Sequence, residues 1–94
     1  MPHSLFNFEW NAAKAATNLK KHGVSFPEAA TVFADDHAFV QADEFHSDEE
    51  SRHVILGYSD HHRLLVVSFA HRAESIRLIT ARVATPKERT LYEK

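Results

Sequence analysis

The segments Arg52 to Tyr58, Leu64 to Arg72 and Ser75 to Val83 each read as a strand, and the breaks between them are only Ser59-Asp60-His61-His62 and Ala73-Glu74. A parallel neighbour needs a crossover of a dozen or more residues, so strands joined this tightly must lie side by side in opposite directions. The second half of the chain is therefore committed to an antiparallel meander. At 94 residues the chain is expected to form a single domain over 1–94, with everything else packed on that sheet.

The first half supplies what packs. Phe6, Phe8 and Trp10 alternate with Asn7 and Glu9, a period of two that predicts a short strand. Asn11 is placed as an N-cap, and Ala12 to His22 runs at helical density until Gly23, a residue suited to close a helix. Ser25 and Glu28 have the spacing of a capping box, with Pro27 in the opening turn, which predicts a second short helix over about Pro27 to Phe33. Asp35-Asp36 marks its exit, Ala38 to Ala42 reads as a strand, and Asp43 to Ser51 is acidic and turn-prone. Thr85-Pro86-Lys87-Glu88 is another capping box and opens a final short helix. The expected class is α+β: an antiparallel sheet with two N-terminal helices and a short C-terminal helix.

Composition removes several functions. With no cysteine there is no disulfide scaffold, thiolate zinc site or cysteine nucleophile. The start Met-Pro-His-Ser-Leu-Phe has neither a basic nor an apolar targeting region, and the aliphatic run Leu64 to Val67 is far below membrane-spanning length, so a cytoplasmic protein without membrane contact is expected. The net charge of -2 conceals an asymmetry. Residues 1–50 hold three lysines against nine carboxylates, five of them within Asp43 to Glu50, whereas residues 51–94 hold eight basic groups against four acidic. Such a chain can offer a basic surface to phosphate, or its charges can be solvated salt-bridge partners.

Four stretches together resemble a known family. These are Phe8-Glu9-Trp10-Asn11-Ala12-Ala13-Lys14, Asn18-Leu19-Lys20-Lys21-His22-Gly23-Val24-Ser25-Phe26, Glu28-Ala29-Ala30, and Ile76-Arg77-Leu78-Ile79-Thr80-Ala81-Arg82-Val83-Ala84-Thr85. In this order they are similar to the BrnT-type toxins of bacterial toxin-antitoxin pairs. The resemblance implies a RelE-like fold and an endoribonuclease that inhibits translation and growth. It also implies neutralisation by a BrnA-like ribbon-helix-helix antitoxin, expected as two copies of each chain, with DNA bound only through the antitoxin.

RNA cleavage without a metal needs a base, an acid and cations on the phosphate. The residues expected to act are Lys21, His22, Arg77 and Arg82 with Glu88 as a supporting carboxylate, while Lys20, Arg63 and Arg72 are expected to bind substrate. For His22 the alternative is a cap on the last carbonyls of its helix, and for both Arg77 and Arg82 a paired structural arginine, as Arg82 with Glu88 would be. Strand parity sets a condition: in an ideal strand Arg77 and Arg82 point to opposite sides, so a bulge or the strand's end must redirect one, and Arg82 is nearer that end.

Phe69-Ala70-His71 stands where the family commonly has tyrosine, threonine and glutamate, so either His71 takes over a proton transfer or activity is weak. Thr80 keeps the hydroxyl of an expected serine, and Asn11 keeps the N-cap of an expected aspartate. Eight histidines raise the question of a metal, yet His46, His53, His61 and His62 with Asp48 and Glu49 show no recognised ligand spacing, so neither metal nor cofactor is expected. Two non-catalytic readings remain: an antitoxin-binding partner and co-repressor, or a structural subunit that pairs its basic strands with an acidic partner.

Overall fold

The computed structural model describes residues 7–43 and 51–94. Five strands form one sheet: β1 (Asn7–Glu9), β2 (Phe39–Ala42), β3 (Arg52–Tyr58), β4 (Leu64–Arg72) and β5 (Ser75–Val83). The helices are α1 (Ala12–His22), α2 (Phe26–Thr31) and α3 (Pro86–Tyr92), with a 3-10 turn at Val32–Ala34. Phe6, the stretch 44–50 and with it His46, Asp48 and Glu49 lie outside the described residues.

In space the strand order is β1-β5-β4-β3-β2. From β2 to β5 every pairing is antiparallel, as the short breaks require. The sheet departs from the expected all-antiparallel form at one edge, where β1 lies parallel to β5 with Phe8 opposite Ile76. No hairpin joins these two strands, so no turn dictates their relative direction.

Both faces of the sheet carry apolar side chains. One face presents Ile55, Leu65, Val67, Phe69, Ile76, Leu78 and Ala81 to Val24, Phe26, Ala29 and Val32 from the helical layer. The opposite face presents Leu56, Leu64 and Val66, partly covered by Tyr92 of α3. Polar and charged residues share that second face, which is where the chemistry collects.

The helix ends follow local signals with one difference. Asn11 accepts the Lys14 N–H at 3.0 Å, and Gly23, at φ 70°, closes α1 through its N–H to the Leu19 carbonyl. Thr85 and Glu88 form the full reciprocal box on α3. At α2 only half of the expected box forms: the Ser25 hydroxyl accepts the Glu28 N–H, but the Glu28 carboxylate turns to Arg63 and Ser59 instead. The helix also ends earlier than expected and tightens into the 3-10 turn, bringing Asp35 under the N–H groups of His37 and Tyr58.

Candidate active site

The site begins with one extra residue. Ser68 of β4 faces Thr80 and Phe69 faces Leu78, so Ile79 has no partner and β5 bulges there. Before the bulge the residues turned to the helices are Ile76 and Leu78; after it the buried residue is Ala81. The inward positions thus change parity, and Arg77, Thr80 and Arg82 all come to the face opposite the helices. The condition set by strand parity is met by the bulge, not by the strand's end.

β1 pairs with β5 only through Arg77, and beyond that point α1 lies alongside β5. Asn18 fastens the two. Its amide nitrogen donates to the Ala81 carbonyl at 2.8 Å and to the Val24 carbonyl at 3.0 Å, and its amide oxygen accepts the Ala81 N–H at 3.1 Å. A buried side chain thus takes the place of a strand neighbour. Beside it a groove of about 350 Å³ opens, lined by Lys14, Thr17, Lys21 and His22 from α1 and by Ile79 and Thr80 from β5. Lys14, Thr17 and Lys21 recur at intervals of three and four, and His22 lies four beyond Asn18, so all belong to one stripe of α1.

Thr80 is shared with a second hollow, of about 460 Å³, whose charged walls are Arg82, Glu88 and Asp43. Arg82 Nη1 and Nη2 each meet a Glu88 carboxylate oxygen at 2.8 Å, and Glu88 Oε1 also accepts the Thr85 N–H at 2.8 Å. The Arg82 hydrogen bonds, against the cost of burial and aided by the Thr85 backbone, hold the Glu88 carboxyl at about 2. It stays ionised at neutral pH, so it orients Arg82 and has no proton to give. With its end-on fork spent on Glu88, Arg82 keeps the Nε edge for another anion.

Lys14 and Ile79 are shared in turn with a third hollow of about 140 Å³, walled by Lys14, Arg52, Arg72 and Arg77. Arg77 Nη1 lies 3.5 Å from Glu9 Oε2. The three hollows therefore adjoin along α1 and β5. They bring together Lys21, His22, Arg77, Arg82, Glu88 and Arg72 of the expected set, and add Lys14, Thr17 and Thr80.

Other expected residues stand apart. Lys20 is exposed on α1 and lines none of these hollows. Arg63 lies in the turn after β3, where Nε donates to Glu28 Oε2 at 2.9 Å and Nη2 donates to Glu28 Oε1 and to the Gly23 carbonyl. Ser59 donates to the same carboxylate at 2.7 Å. Arg63 hydrogen bonding, opposed by burial and helped by Ser59 and His61, holds the Glu28 carboxyl at about 2. This places Arg63 among the contacts tying the helices to the turn, away from the groove. His71 meets His53 and Phe69 edge-on on the helical side and lines none of the three hollows. Among the described residues no three histidine, aspartate or glutamate side chains are gathered in a way that could hold a metal.

A family model described as the ribonuclease toxin BrnT of a type II toxin-antitoxin system matches residues 10–88. Among solved structures, the fold is similar to the ribonuclease toxin BrnT from Brucella abortus, at 20% identity and a TM-score of 0.66, covering 85% of this chain and 97% of that one. No curated protein matches the sequence.

Proposed function

The chain belongs to the BrnT family of ribonuclease toxins of type II toxin-antitoxin systems, and on that premise we propose that it cleaves RNA, without a metal ion, in the groove between α1 and β5. The observation that carries the reading is the bulge at Ile79, which puts Thr80 and Arg82 on one face, with Thr80 shared between the groove of Lys21 and His22 and the hollow of Arg82. In the proposed step the substrate's 2′-oxygen bonds to phosphorus and the bond from phosphorus to the 5′-oxygen breaks. The 2′-hydroxyl proton passes to a base and a proton reaches the departing oxygen. The products are a cyclic 2′,3′-phosphate end and a 5′-hydroxyl end. His22 supplies one of the two proton transfers, since imidazole serves either near neutral pH. Lys21 and the outer edge of Arg82 stabilise the charge on the phosphorane, with Glu88 holding Arg82 in place.

We read the arrangement as RelE-like, the residues 1–94 as one functional unit, and the protein as a cytoplasmic inhibitor of translation and growth. Its partner in this reading is a ribbon-helix-helix antitoxin of the BrnA kind in a complex with two copies of each, which alone contacts DNA. A second reading, a catalytically weak toxin acting chiefly as antitoxin partner and co-repressor, is favoured by Ala70, which brings no hydroxyl to the row it shares with Arg52 and Arg77. One assay separates them. Purified wild-type protein with chelator should cut RNA to cyclic-phosphate ends, and His22→Gln should lose about 30- to 1,000-fold in rate at an unchanged Tm, the range for losing one group that acts in the transition state. Activity that vanishes with chelator and returns with a divalent ion would refute the metal-free mechanism; no cleavage at all would favour the co-repressor.

A further inference from the structure

Arg77 and Arg82 share a face, yet they cannot serve one phosphate. Five positions apart with one spent on the bulge, their Cα atoms are separated by roughly 13 Å at the usual rise of a strand. Their side chains are also drawn apart: Arg82 is pinned to Glu88 of α3, and Arg77 leans to Glu9 of β1 at the opposite edge. What lies beneath Arg77 differs from the groove as well. The register sets Arg52, Ala70 and Arg77 in one row across three strands, so only the small Ala70 side chain separates the two arginines on that face. Lys14 and Arg72 complete the walls, and among the described residues no carboxylate lines the hollow. Arg52 and Arg72 have contacts of their own, so the argument stands on Lys14 and Arg77.

We propose that this hollow is a phosphate-anchoring subsite, separate from the reacting groups, which holds the phosphodiester of a neighbouring nucleotide in single-stranded RNA. It rests on the reading of the groove as an RNA site and reassigns Arg77 from the reacting phosphate to the anchored one. Charge varies along the track as such a division requires. Among the described residues Lys14 and Arg77 line the anchoring hollow, with Glu9 3.5 Å from Arg77 outside its wall, whereas the hollow around Arg82 has the carboxylates Glu88 and Asp43 in the wall itself. Contacts to phosphate fix the position of a nucleic acid without reading its sequence, so this end holds the strand and the groove acts on it. Lys14, which lines both the hollow and the groove, joins them.

The test is the binding of fluorescent oligoribonucleotides, each 2′-O-methyl throughout so that none is cleaved, in a series lengthened one phosphate at a time. Wild-type affinity should rise in a step at the length that reaches the hollow. That step should shrink about tenfold in Lys14→Ala and in Arg77→Ala, the worth of one charge-assisted contact. Substituting a neutral methylphosphonate for the added linkage should abolish the step in the wild type. Lys14 is exposed on α1, so its variant keeps the test valid if Arg77→Ala melts early. A Lys14→Ala protein that weakens every length alike, or none, overturns the proposal, as does a wild type with no step. Failure of the catalytic reading is seen separately, as a wild type that binds with the step but leaves ribose RNA uncut.

Discussion

Asn18 makes three hydrogen bonds from one side chain, to both backbone groups of Ala81 and to the Val24 carbonyl, and it is buried. In sequence it is a polar residue inside a helix, and nothing in its neighbours distinguishes it from a solvated one. Its role depends on Ala81, 63 positions away, reaching the same place. Replacing it by alanine leaves the Ala81 and Val24 groups without partners in a dry setting, which costs about 3 kcal/mol. Asn18→Ala should therefore lower Tm by roughly 12–24 °C in a chain of this size. Asn18→Asp should lose nearly as much, because a carboxylate can accept from Ala81 but cannot donate to either carbonyl. A thermal melt of Asn18→Asp close to wild type would show that the bridge contributes little.

At the level of elements, the strand ranges of β3, β4 and β5 coincide with those expected from sequence, since turn residues bound them and the alternation inside is local. The bulge in β5 is different. Its position depends on which residues of β4 stand opposite, so the run Ile76 to Val83 carries no sign that the inward parity changes between Leu78 and Ala81. A related close fit lies in β3. A Cβ on Gly57 would sit 2.7 Å from Ala38 Cβ and 3.0 Å from Val32 Cγ1, so the turn leading to β2 crosses β3 directly over this glycine. Gly57→Ala should destabilise the protein by about 2 kcal/mol through overpacking, read as a shifted midpoint of chemical denaturation with an unchanged slope. An unchanged midpoint would mean that the crossing relaxes easily.

Over the whole molecule, paired carboxylates join parts distant in sequence. Glu28 with Arg63 ties α2 to the β3–β4 turn, and Glu88 with Arg82 ties α3 to β5. Asp35 accepts from the Tyr58 N–H and the Tyr92 hydroxyl, fastening the end of the chain to the turn before β2. Burial opposes ionisation of Asp35, but the Tyr58 and His37 N–H groups and Tyr92 outweigh it and lower its carboxyl. Glu28 and Glu88 are both held at about 2 against an ordinary 4.5. Because folding lowers these values, the stabilisation is complete above about pH 4.5 and is lost as pH falls towards 2. Denaturation midpoints should be level from pH 7 to 5 and then fall steeply. Arg63→Ala should cost roughly 3 kcal/mol at pH 7, the low end for stranding a buried charge, and should make the acid decline shallower. An Arg63→Ala protein with the wild-type pH profile would contradict this assignment.

The α+β class, the meander and most helix caps follow from the sequence alone, because turn length, strand alternation and capping act over a few residues. The chemistry that metal-free RNA cleavage needs singled out Lys21, His22, Arg82 and Glu88 as candidates, and these line two hollows that adjoin at Thr80. Three features were decided only in the folded molecule. β1 runs parallel to β5, Arg63 is committed to Glu28, and a bulge at Ile79 lets Arg77 and Arg82 share a face. Each is a long-range pairing, and a side chain's partner across the fold leaves no mark on its sequence neighbours.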